Sequence, residues 1–324
     1  MWGDIAIAFL LAFITAFVVT PYTIKLAKKV GAIDLPKDER RINKKPMPRL
    51  GGLAVIAGFL VSIIYLIAIL GIEGSLSLNN EQQYYMKLIG FFLGALVITI
   101  TCFIDDVKGL PALVKLGAQI IAAIIAIKSG IIIQHISIPF FDGEGLTKLN
   151  EVFSIILTLG WIVGITNAIN LIDGLDGLSS GTCAIFYLTI GIIAFIKGGV
   201  NSLSITLAFI MLGSTLGFLY HNFYPAKIFS GDSGSMFQGF MIATICLLGF
   251  KTTAFISFFV PILILGIPIL DTLFAIVRRS LKHQKIYLPD KCHLHHQLLS
   301  CFCFHIYQLM CLLLVVLLCF LPIL

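Results

Sequence analysis

Charged residues are scarce in this sequence. They occupy 12% of its 324 positions, whereas 59% of the residues are hydrophobic. Soluble domains carry about a quarter charged residues, so this composition excludes an ordinary soluble protein and indicates an integral membrane protein. The eight cysteines mostly lie inside apolar runs and imply no disulfide framework.

Other signals are missing as well. The first apolar run, residues 5–20, lacks a basic start and a small-residue cleavage site, so we expect a retained membrane span and not a signal peptide. The absence of a G-x-x-x-x-G-K-[ST] loop argues against an ATP-driven machine. No separate soluble domain and no internal repeat stand out, so we interpret residues 1–324 as a single polytopic domain.

The apolar runs predict an all-α, polytopic membrane protein. Windows of roughly 17–25 apolar residues give about ten transmembrane helices. The 29 glycines fit such a bundle, because small residues let spanning helices approach closely. The predicted helix limits are 4–22, 51–70, 86–104, 112–128, 152–168, 180–196, 202–220, 236–250, 254–277 and 305–323.

Basic residues set the expected orientation. They are concentrated in the loops 25–49 and 278–304, which are therefore predicted to be cytoplasmic. With an even number of spans, both termini would lie outside. This topology predicts one composite active site at the cytoplasmic face, because it places the following polar clusters on the same side: 25–49, 105–106, 167–179, 222–235 and 293–296.

The segment 167–181, NAINLIDGLDGLSSG, repeats a polar side chain every three residues. Asn167, Asn170, Asp173 and Asp176 lie at helical spacing, and the segment contains no Lys, Arg or His to pair with the acids. A helix N-cap is one alternative, but a cap needs one such residue and four are present. The segment therefore favours a polar ligand or a metal–phosphate site.

The segment FIDDVKG, residues 103–109, ends an apolar helix with two adjacent acids. Lys108 offers an ion pair to Asp105 or Asp106, and Lys115 follows as a second cation. A purely structural ion pair is therefore one interpretation. Adjacent carboxylates also repel each other, which favours binding of a cation.

A third acid, Asp232, stands in GDSGS just before a predicted helix. N–H groups at a helix start can face phosphate, and a carboxylate there can bind a divalent ion; a turn with a cap is the alternative. His293, His295 and His296 have cysteines nearby, but their spacing matches none of the usual zinc arrangements. We therefore favour phosphate binding by these imidazoles.

Carboxylates suited to a hard divalent metal and basic groups suited to phosphate thus occur together at one predicted membrane face. This combination is typical of phosphoryl-group transfer. A soluble acceptor would not require so many membrane spans, so the acceptor should be a lipid.

The motifs FIDDVKG, NAINLIDGLDGL, PAKIFSGDSGS and HLHH occur in this order, after PMPRLGG at 46–52. Together they resemble the polyprenyl-phosphate N-acetylhexosamine-1-phosphate transferases over most of the chain. The resemblance implies transfer of a sugar 1-phosphate from a UDP-sugar to undecaprenyl phosphate, with release of UMP. It implies a Mg²⁺ cofactor, with Mn²⁺ as a substitute, in a bacterial plasma membrane. It leaves a homodimer open and implies no nucleic-acid partner.

The same resemblance assigns roles by motif position. Asp232 would bind the metal, and Asp105 and Asp106 would lie near the acceptor phosphate, with Asp105 a candidate base. The expected catalytic set is completed by Lys115, Asp173 and Asp176. The uridine would be held by Asn222 and Phe229, and the other expected substrate contacts are Lys108, Asn170, His293, His295 and His296.

Within the superfamily, WIVGITNAINLIDGLDGL and DKCHLHHQLL resemble the N-acetylglucosamine-1-phosphate branch, which starts teichoic-acid linkage units, O-antigen and related glycans. The alternative is the muramoyl-pentapeptide branch of peptidoglycan synthesis, which tends to have a longer His run. Two stretches depart from the family pattern. They are the loop KDERRINKK at 37–45, where relatives often have a His, and the ending at 298–324.

Two rival classes fit less well. CDP-alcohol phosphatidyltransferases also use Asp–Gly motifs on membrane helices, but their Ala-Arg pair is missing after the first Asp-Gly of this chain. An ion-coupled secondary transporter would place its acids near the membrane midplane, in paired broken helices. The acids of this chain are instead predicted to cluster toward one face.

Overall fold

The computed structural model describes residues 2–35, 45–72, 81–136, 147–198 and 203–249. These residues form eight α-helices and two short strand pairs, so the all-α prediction is confirmed. The predicted helices 254–277 and 305–323 lie outside the described residues. The helices are α1 (Trp2–Val30), α2 (Gly52–Ile72), α3 (Glu81–Lys108), α4 (Ala112–Lys128), α5 (Glu151–Ile172), α6 (Leu178–Gly198), α7 (Leu203–Asn222) and α8 (Asp232–Gly249).

The strands are two residues long each. Strand β1 (Ile33–Asp34) pairs antiparallel with β2 (Met47–Pro48), with Ile33 opposite Pro48. Strand β3 (His135–Ile136) pairs antiparallel with β4 (Thr147–Lys148). Each pair joins the two ends of a connection between helices.

Six of the described helices, all except α4 and α8, are long and apolar enough to cross a membrane. Their outer faces carry large apolar side chains, as α1 illustrates. Small residues at a spacing of four (Ala8, Ala12, Ala16) are fully buried in α1, whereas Ile14 and Val18 are exposed. Lipid does not drive apolar side chains inward as water does, so small residues take the helix interfaces and large ones face the bilayer.

Helix α8 lies inside the bundle, and its residues 233–246 are all buried. It packs against α5, α3 and α2. Two glycines bring it close to its neighbours: a Cβ on Gly239 would lie 2.7 Å from the Cα of Thr166, and a Cβ on Gly234 would lie 2.7 Å from the Cα of Gly52. The start of α8 is therefore enclosed by the ends of other helices.

Successive helices alternate in direction, so that the carboxyl ends of α1, α3, α5 and α7 meet the amino ends of α2, α4, α6 and α8. Hydrogen bonds between these ends show the arrangement, for example Asp106 with the start of α8 and Ser180 with Asn222. We call this region the polar end of the bundle. It consists of residues 49–52, 105–115, 170–180 and 222–235.

Several helices are longer than the apolar windows indicated. Helices α1, α3 and α5 were predicted to end at residues 22, 104 and 168, but they continue to Val30, Lys108 and Ile172. A hydropathy window ends where the apolar side chains end. The helix itself can continue further, as long as its backbone carbonyls have hydrogen-bond donors. In α1, Lys28 and Lys29 occupy the last turn, where positive charges interact favourably with the negative end of the helix dipole. Polar residues of the predicted loops therefore stand on helix ends.

Candidate active site

Three aspartates separated in sequence meet at the polar end. Asp105 and Asp106 lie in the last turn of α3, and Asp232 is the first residue of α8. One carboxylate oxygen from each lies within 4.8 Å of the others, which is close enough to hold a single metal ion. The structure thus brings together the acids that the sequence predicted.

Asp106 does not face the open side of this cluster. Its two carboxylate oxygens accept the backbone N–H groups of Asp232 at 2.9 Å and Ser233 at 3.0 Å. A carboxylate in this position accepts backbone N–H groups that have no partner within the helix, and its negative charge interacts favourably with the positive end of the helix dipole. The cap of α8 therefore comes from a residue on another helix, and Asp106 fixes where Asp232 stands.

Asp105 and Asp232 share a cation. The ammonium Nζ of Lys115, near the start of α4, lies 2.6 Å from Asp232 Oδ2 and 3.1 Å from Asp105 Oδ2. The other oxygen of Asp105 accepts the Leu110 N–H at 2.6 Å. Lys108 is exposed, so the cation that reaches Asp105 is Lys115.

The end of α5 approaches the same cluster. Asn170 donates its amide N–H groups to Asp232 Oδ1 at 3.2 Å and to Ser235 Oγ at 2.9 Å. Asp173 follows as the C-cap of α5, half-buried between two membrane-spanning helices. Burial raises the pKa of the Asp173 carboxyl well above its usual range, and the charges of Asp232 and Asp106 raise it further.

The connection from α7 to α8 is held by residues expected to bind substrate. Asp176 is buried and accepts the Ala226 N–H at 3.0 Å. Asn222 is 2% exposed; its side chain accepts from Ser180 at 2.9 Å and donates to the Ile228 carbonyl at 2.9 Å. Both side chains shape residues 223–231 from within, and their contact with a ligand stays a prediction.

Phe229 lies at the middle of this connection and is half-buried. Its N–H donates to the Pro48 carbonyl at 2.9 Å, and its carbonyl accepts the Gly51 N–H at 3.0 Å. The Ser230 carbonyl accepts the Gly52 N–H at 2.8 Å. Backbone hydrogen bonds thereby hold the PMPRLGG segment against residues 229–230, which begin three residues before Asp232.

Sequence reasoning gave no role to Arg49, which stands within PMPRLGG. Its guanidinium Nη2 donates to the Asp106 carbonyl at 3.2 Å, one of the free carbonyls in the last turn of α3. Gly231 has a φ of 72°, and a Cβ there would collide with the Arg49 carbonyl and lie 2.7 Å from Asp106 Oδ2. The tight passage of Gly231 past Arg49 and Asp106 thus requires glycine. The only sequence signal that could have pointed to Arg49 was its place in the PMPRLGG motif.

A second layer of polar side chains lies beneath the acids. Gln119, which is buried, donates to Asn167 Oδ1 at 3.2 Å and accepts from Asn167 Nδ2 at 2.5 Å. The sequence singled out Asn167 but not Gln119. This amide pair joins α4 to α5 below Lys115 and Asn170.

The acidic cluster fits a divalent metal such as Mg²⁺. Three carboxylates lie together, and Lys115 pairs with two of them, so carboxylates outnumber the lysine within the cluster. Both oxygens of Asp106 already accept N–H groups, which leaves Asp105 and Asp232 as the residues that would bind the ion. Protein sites for Mg²⁺ commonly use one or two carboxylates, with water and phosphate as the remaining ligands. His293, His295 and His296 lie outside the described residues, as do the cysteines considered for zinc.

The fold and the site together define a class: an all-helical membrane protein that gathers carboxylates and a lysine at the ends of its helices. Residues 88–250 match the family described as Glycosyl transferase family 4. A Bacillus subtilis protein named "Probable undecaprenyl-phosphate N-acetylglucosaminyl 1-phosphate transferase" is 42% identical over 303 residues, which cover 91% of this chain and 77% of that protein.

Two further relatives extend the comparison. The decaprenyl-phosphate N-acetylglucosaminephosphotransferase of Mycobacterium leprae is 36% identical over 315 residues, which cover 92% of this chain and 77% of the relative. A phospho-N-acetylmuramoyl-pentapeptide-transferase of Streptococcus thermophilus is 33% identical over 257 residues, 73% of this chain and 71% of the relative. The chain therefore belongs to glycosyl transferase family 4, as its motifs predicted, and it resembles the N-acetylglucosamine-1-phosphate transferase branch.

Proposed function

We propose that this protein transfers N-acetylglucosamine 1-phosphate from UDP-N-acetylglucosamine to undecaprenyl phosphate. An oxygen of the lipid phosphate attacks the phosphorus that carries the sugar, and a new P–O–P linkage forms. The P–O bond to the uridine-bearing phosphate breaks, and its oxygen and electron pair leave with UMP. The products are UMP and undecaprenyl-diphosphate-N-acetylglucosamine.

The observation that carries this proposal is the cluster of Asp105, Asp232 and Lys115 at the ends of apolar helices. Phosphoryl transfer depends mainly on positioning and on neutralising charge, and both oxygen ligands for a metal and a fixed ammonium are present here. The cluster also argues against an ion-coupled transporter, since the acids stand at helix ends and not in mid-helix breaks.

The relatives favour N-acetylglucosamine as the sugar. Proteins whose names carry N-acetylglucosamine match this chain at 42% and 36% identity over 91% and 92% of its length. The muramoyl-pentapeptide transferase matches at 33% over 73%. The latter keeps muramoyl-pentapeptide transfer as the second candidate function, to be separated by substrate.

The residues divide into four groups in this proposal. Asp105 and Asp232 would hold Mg²⁺, which when bound supplies positive charge to the diphosphate. Asp106 places Asp232, and Lys115 contacts phosphate oxygens. Nucleotide and sugar would be bound by Asn170, Asp173, Asp176, Asn222 and Phe229, with the Phe229 ring stacked on uracil, and the remaining phosphate contacts would come from Lys108, His293, His295 and His296.

The setting of the reaction is also proposed. Nucleotide sugars are cytoplasmic, so the polar end would face the cytoplasm, in agreement with the basic loop 25–49. The protein would act in a bacterial plasma membrane, as a monomer or a homodimer. The product would begin a cell-envelope glycan such as teichoic acid or O-antigen.

The direct test uses purified protein with undecaprenyl phosphate, Mg²⁺ and either UDP-N-acetylglucosamine or UDP-muramoyl-pentapeptide. We expect UMP and a lipid diphosphate from the first donor only, with loss of activity in EDTA and recovery on adding Mg²⁺ or Mn²⁺. UMP release from the second donor alone would replace the proposed sugar. Absence of UMP with both donors would reject the reaction itself.

A further inference from the structure

Helix α1 contains a proline in its interior, and the proline leaves one backbone carbonyl without its usual partner. Pro21 has no N–H, so the carbonyl of Phe17, four residues earlier, loses the donor that an α-helix normally provides. Hydroxyls serve two neighbouring carbonyls: Thr20 donates to Ala16 at 2.6 Å, and Thr23 donates to Thr20 at 2.8 Å. Neither hydroxyl serves Phe17.

The missing donor comes from another helix. Nε2 of His221, in the last turn of α7, lies 3.1 Å from the Phe17 carbonyl oxygen. A carbonyl can only accept, so Nε2 carries the hydrogen and Nδ1 is the bare nitrogen of a neutral ring. Nδ1 is buried without a hydrogen-bond partner, and an unpaired buried acceptor is tolerated more readily than an unpaired N–H. The imidazole also packs against the Phe17 ring at 5.0 Å between centroids.

This contact is the last of three between α7 and α1, which occur at every fourth residue of both helices. A Cβ on Gly213 would collide with the Phe9 carbonyl, and a Cβ on Gly217 would collide with the Phe13 carbonyl. The series then reaches Phe17, where the residue on α7 is His221. Both helices advance four residues at each step, so they run in the same direction. The two glycines allow close approach, and the His221 hydrogen bond adds a directional contact that sets the register.

His221 also makes a backbone hydrogen bond to the segment 223–231, which connects α7 to Asp232. The backbone carbonyl of His221 accepts the Lys227 N–H at 2.9 Å. The next residue, Asn222, holds the Ile228 carbonyl at 2.9 Å. The position of α7 against α1 is thereby transmitted to the segment that carries Phe229.

We propose that His221 is a positioning residue that replaces the N–H missing at Pro21 and so fixes the α7–α8 connection beside the active site. Its catalytic consequence rests on the proposed function, in which Phe229 stacks on uracil. Loss of the His221 contact should loosen the uridine site while the acidic cluster, held separately by Asp106, keeps its geometry. KM for UDP-N-acetylglucosamine should therefore rise while kcat stays nearly unchanged.

The test is a double-mutant cycle of His221→Leu and Pro21→Ala in the full-length protein, with melting temperature in detergent and the kinetics of UMP release as readouts. His221→Leu should lower the melting temperature by about 2 °C. It should raise the UDP-N-acetylglucosamine KM about fivefold, the size expected for one hydrogen bond. Pro21→Ala supplies an N–H inside α1, so His221→Leu should have little effect in its presence.

Thr20→Val provides the matched control, because the Thr20 hydroxyl serves Ala16 in the same turn and not Phe17. Its effect should add to that of His221→Leu without rescue. His221→Gln, which keeps a side-chain N–H donor, should lie near the wild type and covers the case in which the Leu variant does not fold. Additive melting shifts for Pro21→Ala and His221→Leu would overturn the proposal. Rescue of melting without any UMP release would instead reject the proposed function and leave the helix contact standing.

Discussion

The polar end and the middle of the bundle satisfy their polar side chains in different ways. We call residues 154–166, 183–195, 205–216 and 240–247 the apolar belt. Three threonines of the belt bond within their own helix, since the hydroxyls of Thr166, Thr189 and Thr244 each donate to the carbonyl four residues earlier. Ser214 and Thr215 of the belt instead donate to α2 and α8. At the polar end, side chains join elements far apart in sequence, as Asp106 does with Asp232 and Ser233, 126 and 127 residues away.

The difference follows from which backbone groups are free. In the belt, each helix carbonyl already has an in-helix donor, so the hydroxyls of Thr166, Thr189 and Thr244 add a second bond that holds no other helix. At the polar end, the first N–H groups and last carbonyls of each helix need outside partners. Side chains from neighbouring helices supply them, and the site is built from those contacts. Removal of a side-chain hydrogen bond should therefore be damaging at the polar end and mild at these three threonines.

The largest effect should come from Asp232→Asn. The substitution removes the charge that faces Lys115 and that would hold a divalent ion, while the size of the side chain is kept. We expect UMP release to fall on the order of 100- to 1000-fold, the loss seen when one fixed electrostatic group is removed from an active site. Asp4→Asn, at the start of α1 and away from the polar end, should leave activity unchanged. Near-normal turnover of Asp232→Asn at limiting Mg²⁺ would remove this residue from the metal site.

Asp105→Asn tests the division of labour between the adjacent acids. The Asp105 carboxylate pairs with Lys115, whereas the Asp106 carboxylate accepts backbone N–H groups at the start of α8. We expect kcat to drop about 100-fold with a smaller change in the UDP-N-acetylglucosamine KM, because Asp105 would hold the metal that neutralises charge during transfer and would not contact the nucleotide. Steady-state kinetics with both substrates measure this. A rise confined to the nucleotide-sugar KM would move Asp105 into the nucleotide pocket.

Gly52→Ala tests the close approach of α2 and α8 at the polar end. The added Cβ would collide with the backbone of Gly234, next to the capped start of α8. Overpacking of this kind costs about 1–3 kcal/mol, and it should also displace Asp232 and reduce activity. Gly160→Ala is the matched control, since a Cβ there meets nothing within 4 Å on the exposed side of α5. Thermal unfolding should separate the two variants, and equal losses would show that backbone packing at Gly52 is not limiting.

The smallest expected effects come from removing one hydroxyl at the polar end, on Ser180, and one in the belt, on Thr189. Ser180→Ala leaves the buried Asn222 amide oxygen without its donor, which should cost about 1–3 kcal/mol of stability. Thr189→Val removes a hydroxyl that donates to the Ile185 carbonyl, which keeps its in-helix donor, and should lower stability by only about 0.5 kcal/mol. Melting temperatures under one detergent condition are sufficient. Equal shifts would mean that the polar end and the belt respond alike.

The helices were predictable because apolar composition over a long window is a strong signal. The first eight predicted segments are helices, but the ends of α1, α3 and α5 were placed too early. Apolar windows stop at the first polar residues, and Asn170 shows why this fails: its amide finds Asp232 and Ser235, so α5 continues through it. The partners that extend a helix lie elsewhere in the chain and leave no local mark.

The motifs predicted that Asp105, Asp106 and Asp232 lie together, but they did not predict the individual contacts of these acids. Asp105 and Asp106 are neighbours in sequence and point about 100° apart around α3. One therefore reaches Lys115 on α4, and the other reaches the start of α8. Which acid faces which helix depends on the rotation of α3 within the bundle. Arg49 was missed for a similar reason, since its partner is a backbone carbonyl that sequence does not distinguish.

The cap that Asp106 places on α8 has a consequence for how the protein is made. Asp106 precedes its partner Asp232 by 126 residues. At ordinary synthesis rates of about 5–20 residues per second, α8 emerges roughly 6–25 s after the acids of α3. During that interval the helices from α4 to α7 are made, and the N–H groups that Asp106 will bind are still missing. The addition of α8 then completes the acidic cluster, so a chain stalled before residue 232 would hold Asp105 and Asp106 without Asp232.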